Sequence, residues 1–183
     1  METENGDPAA LLSFRPVFGT GLYRTQVDVT GNHLSGLLLI KQMPDSSLRL
    51  VFSNEMGFRF FDFAFEPDGR FTVHSIIDRM NKKAVIKTLR KDFELVLMNQ
   101  LDTETAMLKK SGANRVYVFP KEKGYYTYFT DLNGDSLLKM QRNSKRKAVV
   151  EAVMFNRIQG IYDSIAINHL NFNFSIALKR IER

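Results

Sequence analysis

One stretch constrains the fold more than any other. From Met56 to Phe65 the chain reads Met-Gly-Phe-Arg-Phe-Phe-Asp-Phe-Ala-Phe. An extended strand points successive side chains to opposite faces. That alternation puts Phe58 and Phe60 on one face and Phe61, Phe63 and Phe65 on the other. Only Arg59 and Asp62 interrupt the apolar character of the two faces. An antiparallel strand with a solvated side alternates apolar with polar residues, so each side of this one needs cover from a helix, a second sheet or a ligand.

The rest of the chain supplies strands to either side of it. Leu22–Val29 and Leu34–Met43 flank Gly31-Asn32, which suits a two-residue hairpin because both residues tolerate positive φ. Met43-Pro44-Asp45-Ser46 turns the chain into a strand with Leu48, Leu50 and Phe52 on one face. Pro67-Asp68-Gly69 turns it again, into Arg70–Ile77. The period then changes once. After Asn81, a candidate N-cap, Val85, Leu89, Phe93 and Val96-Leu97 recur at helical spacing and predict a helix over Lys82–Asn99. A shorter helix is expected over Asp102–Lys110, ended by Gly112. Strands resume at Arg115–Phe119, Tyr125–Thr130, Ser136–Arg142, Ala148–Phe155, Ile161–Ile167 and Phe172–Leu178, with Asn133-Gly134 as a hairpin signal and a break in parity near His169. This gives a mainly antiparallel β (α+β) fold of about ten or eleven strands. So large a sheet must curl or split. The expectation is a strongly curved sheet or incomplete barrel, with one long and one short helix packed on its concave side.

Composition narrows the function. There are 15 Phe and 6 Tyr but no Trp and no Cys. The missing cysteine removes disulfides, thiolate metal sites and Cys nucleophiles. The longest apolar run, Gly36–Ile40, is strand-sized. Met1-Glu2-Thr3-Glu4 lacks the basic-then-apolar pattern of a secretory leader, so an exported protein would be expected here in its mature or trimmed form. The formal charge is +6. Residues 1–10 carry three acids and no base, and are expected to form a flexible acidic tail or tether to a single β-rich domain at 11–183. Setting those acids aside raises the rest of the chain from +6 to +9.

No catalytic constellation emerges. His33, His74 and His169 lack a ligand spacing, and Asp131–Asp135 matches a hairpin turn better than a calcium loop, since Arg142 stands where that loop needs Glu. There is no phosphate-binding Gly loop and no nucleophile elbow. Asp62 is the one carboxylate in a candidate buried strand, and regular alternation points Arg59 away from it. No metal and no cofactor are assigned, and the chain is read as a non-enzyme. Two basic clusters stand out: Arg79 and the candidate headgroup contacts Lys82, Lys83, Lys87, Arg90 and Lys91 at and within the helix, and Lys139, Arg142 and the candidate headgroup contacts Lys145, Arg146 and Lys147 at a hairpin tip. Each is either a solvated face or a contact to anionic headgroups or a membrane surface. The Phe-rich strand is either a plain core strand or part of a cavity for acyl chains. Nucleic acid ranks below both, as no RNP-type motif is present.

The layout resembles the LolA/LolB-like carriers of bacterial lipoproteins. The resemblance rests on Gly19-Thr-Gly21, Gly31 and Gly36 in the opening strand pair, on Leu48–Phe52, on Asn54–Phe60, on the inserted helix, and on Ile161–Ile167 followed by Phe172–Leu178. It spans about residues 14 to 182. It implies an incomplete antiparallel barrel, a helical lid and an apolar cavity, and no functional residue of the family transfers to a position here. The expectation is a non-catalytic envelope protein of the periplasm, anchored to the outer membrane through a Cys upstream of this sequence. It would bind lipid or lipoprotein acyl chains in a cavity lined by Phe58, Phe60, Phe61, Phe63, Phe65, Leu89 and Phe93. The rival reading is an envelope structural or interaction protein with a filled core.

Overall fold

The computed structural model describes residues 1–29 and 31–181. Thr30 and Glu182, where the resemblance ends, lie outside the described residues. The strands are β1 (Glu2–Thr3), β2 (Thr20–Val29), β3 (Asn32–Gln42), β4 (Leu48–Ser53), β5 (Arg59–Phe65), β6 (Phe71–Ile76), β7 (Met107–Ser111), β8 (Asn114–Lys121), β9 (Gly124–Asp131), β10 (Leu137–Asn143), β11 (Ala148–Ile158), β12 (Ile161–His169) and β13 (Phe174–Arg180). They form one open sheet in the order β1-β7-β8-β9-β10-β11-β12-β13-β2-β3-β4-β5-β6. Every neighbouring pair is antiparallel. The count of 13 exceeds the expected ten or eleven because β1 and β7 fall where a tail and a second helix were expected.

Among the described residues, one α-helix, α1 (Lys83–Leu97), connects the two runs of strands. It touches both arms of the sheet. Phe93 meets Phe61 of β5 edge-on at 6.3 Å, and the Tyr128 hydroxyl of β9 donates to the Leu95 carbonyl at 2.8 Å. β5 and β9 stand eight places apart in the sheet, which on a flat sheet is roughly 38 Å, against a helix only about 10 Å across. The sheet therefore curls around α1, with the helix on its concave side.

Two local expectations are corrected. Asn81 is not the cap: Lys82 occupies that position and makes no side-chain capping bond. The second helix is absent. Asp102 accepts from the Glu104 backbone N–H and the Thr105 hydroxyl, at 3.0 and 2.9 Å. These local bonds favour a turn over a helix, and the chain leaves it as β7. Short 3-10 turns occur instead at Pro8–Phe14 and Asp78–Met80.

The opening residues lie against the sheet. Glu2 and Thr3 pair with Lys110 and Lys109, and Glu4 takes a two-pronged bond from Arg115 at 2.8 and 3.1 Å. Asp7 caps the Pro8–Phe14 turn through the Ala9 N–H, and Leu11 in that turn is fully buried. Arg15 then donates twice to the Met98 carbonyl, at 2.7 and 3.1 Å. Met98 ends α1 in a left-handed conformation that costs a non-glycine residue energy. Its full burial and the Arg15 contact offset that cost.

Candidate functional site

The Phe strand resolves its parity problem with a β-bulge. Phe52 pairs with Phe61 but Ser53 pairs with Arg59, so Phe60 is the extra residue. Phe60 thereby joins Phe61, Phe63 and Phe65 in the interior. Phe61 and Phe63 stack at 4.2 Å, and Phe52 packs on Phe60 at 4.9 Å. The bulge also brings Arg59 and Asp62 to one side, contrary to regular alternation, with Arg59 Nη1 3.4 Å from Asp62 Oδ2. The main partner of Asp62 is Arg49, which donates through Nε at 2.6 Å and Nη2 at 2.9 Å. Asp62 is 2% exposed. The question of what covers the second face has a local answer there: the Arg49 guanidinium lies across Asp62. A buried carboxylate tied to two guanidiniums has its charge matched in place.

Of the seven residues expected to line a cavity, Phe60, Phe61, Phe63, Phe65, Leu89 and Phe93 are buried core, while Phe58 is 58% exposed. None of the seven lines the most cation-rich groove among the described residues. That groove, of about 730 Å³, runs beside α1. Its walls carry Lys83, Lys87, Arg90 and Lys91 of α1, Lys121 and Lys123 of the β8–β9 turn, and Arg142 at the end of β10. Four of the expected headgroup residues thus lie in one bounded cleft. Lys82 is exposed at the helix start, and Lys145, Arg146 and Lys147 are exposed at the β10–β11 tip, outside the groove lining. Apolar surface comes from Phe71, Ile86, Val149 and the Tyr125 and Tyr126 rings.

Phe71 connects this groove to the Phe cluster. It lines the groove and packs on Phe63 and Phe65, each at 5.0 Å, with the Arg90 guanidinium 5.5 Å above its ring. Sequence reading passed over Phe71, Lys121 and Lys123, and placed Arg142 in the hairpin-tip basic cluster without joining it to the helix. Their membership depends on the curl of the sheet, and the nearest signal was the charge of the β8–β9 turn. Gly124 shapes that turn. At φ +151° it lies so close to β10 that a Cβ there would stand 1.9 Å from the Asn143 carbonyl oxygen.

Beneath the groove, α1 is fastened by polar contacts that sequence spacing does not show. Asp92 is fully buried. It meets His169 Nε2 at 2.7 Å and Arg142 Nη2 at 3.6 Å. His169 sits between Phe172 and Phe174, at 4.8 and 4.7 Å. Glu94 accepts from the Tyr126 hydroxyl and from Arg90 Nε, both at 3.0 Å. Burial raises the Tyr126 and Tyr128 phenols far above their usual range, so both remain donors. His169 does meet a carboxylate, and its side chain is only 1% exposed.

No family model matches the chain, and no curated protein matches it. Among solved structures, it is similar to a domain from Vibrio parahaemolyticus assigned to outer membrane lipoprotein sorting, at 10% identity and a TM-score of 0.48, with 96% of this chain and 90% of that one covered.

Proposed function

We propose that this protein is a non-catalytic lipid-binding protein of the cell envelope that takes lipid or lipoprotein acyl chains between α1 and the Phe face of the sheet. The observation that carries the reading is Phe71. It belongs both to a cation-lined groove and to the packed Phe cluster, so a charged head and an apolar chain have adjoining places. The chain would pass Phe71 and spread over Phe63, Phe65, Phe61, Phe60 and Phe58, displacing the Leu89 and Phe93 face of α1. Transfer of each CH₂ from water contributes about 0.8 kcal/mol. The N-terminal half of α1 is the half that would yield. Residues 81–84 are exposed, the helix start lacks a side-chain cap, and no acid stands in its first turn. The proposed setting is the periplasm, with outer-membrane anchoring through a Cys upstream of this sequence.

Native mass spectrometry of the purified protein, followed by lipid extraction, tests the reading. Co-purified or loadable lipid is expected. Failure of every diacyl lipid tried to add to the protein counts against it. The second reading, an envelope interaction protein with a filled core, draws on the close Phe61–Phe63 stack and on the absence of the seven expected residues from the groove.

A further inference from the structure

We propose that the groove is a site for a compact polyanion, a group bearing two or more phosphate charges, either free or carried as a lipid headgroup. The proposal deepens the lipid-binding reading by naming the chemistry of the head, and rests on it only for the lipid-borne source.

Among the described residues, seven cations face the groove and only two carboxylates, Glu94 and Glu122, do so. The cations come from three separate elements. A solvated helix face would place them on one. Glu94 is already occupied, accepting from Tyr126 and Arg90. Arg142 is paired with Asp92, and Lys121 donates one hydrogen bond to the Gln100 carbonyl at 3.1 Å. Among the described residues, Lys83, Lys87, Lys91 and Lys123 have no carboxylate within ion-pair distance. The Arg142 side chain is 18% exposed, and its Nε is buried without a hydrogen-bond partner. This leaves unmatched positive charge around a cleft of ligand size.

Burial holds the Lys91 ammonium below its usual range, with Lys87 and Arg142 adding repulsion. Burial has the same effect on Lys121. An anion between them favours the charged form of both and so opposes the effect of burial. Phosphate suits the donor set, because several lysines on flexible stems can each reach a different oxygen. The Phe71 and Tyr125 rings offer apolar faces to the carbon skeleton that carries the phosphates.

The test is calorimetric titration of the full chain with inorganic tripolyphosphate, alongside co-flotation with phosphatidylcholine vesicles with and without cardiolipin. Two charge-matched variants are compared: Lys87→Gln with Lys91→Gln in the groove, and Lys41→Gln with Lys179→Gln on exposed strand positions away from it. The groove variant is expected to bind tripolyphosphate roughly tenfold more weakly, and the control variant as wild type does. Cardiolipin flotation that tripolyphosphate competes away assigns the phosphates to a lipid. Tripolyphosphate binding without flotation assigns them to a free ligand. Equal weakening in both variants, or no binding of either probe, overturns the site. So does a single-stranded oligonucleotide that binds with steep salt dependence and displaces tripolyphosphate. Lipid that still co-purifies when tripolyphosphate fails removes this proposal and leaves the lipid-binding reading standing.

Discussion

The two arms of the sheet hold the same helix by different means. On one side, β4 to β6 present a phenylalanine layer: Phe52, Phe60, Phe61, Phe63, Phe65 and Phe71 form a chain of ring contacts that meets α1 through Phe93. On the other, β9, β10 and β12 present Tyr126, Tyr128, Arg142 and His169, which bond to Glu94, Leu95 and Asp92. The Phe arm is adaptable, since apolar contacts have no required direction and an alkyl chain can replace them. The Tyr arm is directional, and leaving its buried partners unsatisfied is costly. On the proposed function, a helix with one replaceable face and one fastened face would part from the first while staying attached to the second.

The largest expected effect comes from the Phe arm itself. Phe63→Ala should destabilise the protein by about 3–5 kcal/mol in denaturant unfolding, because it removes a fully buried ring and leaves a cavity. If that cavity admits lipid, loading should rise as stability falls. Next comes the Asp92 fastening. His169→Leu leaves Asp92 buried with only the longer Arg142 contact and should cost about 3 kcal/mol. Hydrogen exchange should then open the C-terminal turns of α1, which stay protected in wild type. Smaller still, Tyr128→Phe deletes one buried hydroxyl donor and should cost about 1 kcal/mol, with lipid loading unchanged. The mildest change strengthens the loose end: Lys82→Ser supplies the missing cap and should stabilise by about 0.5–1 kcal/mol. If the N-terminal half of α1 moves to admit lipid, this variant should load more slowly.

The sequence made one of these arms easier to see than the other. The Phe arm announces itself, since consecutive aromatic residues on both parities demand cover from each side. The bulge at Phe60 was not readable, because it depends on how Phe61 and Arg59 pair with Phe52 and Ser53. α1 was visible from its period to within one or two residues at each end. The Tyr arm was hidden for a different reason. Asp92 and His169 are 77 positions apart, and nothing in the spacing of either marks a partner. The groove was half visible. Its helical lysines were singled out as a charged face, but Lys121, Lys123 and Arg142 join them only through hairpins whose placement follows from the curl of the sheet. Hydrophobic period describes what an element buries. It does not describe which distant loop closes over the polar edge.

The most direct test of the central claim is photocrosslinking with a phosphatidylglycerol that carries a diazirine on its acyl chain, followed by peptide mapping. Bound lipid should label Phe71, Phe63 or Phe65 and the facing residues Ile86 and Leu89, and Phe71→Trp should suppress that labelling. Labelling confined to the exposed Met56–Phe58 turn, or labelling indifferent to Phe71→Trp, would contradict a lipid path from the groove into the Phe cluster.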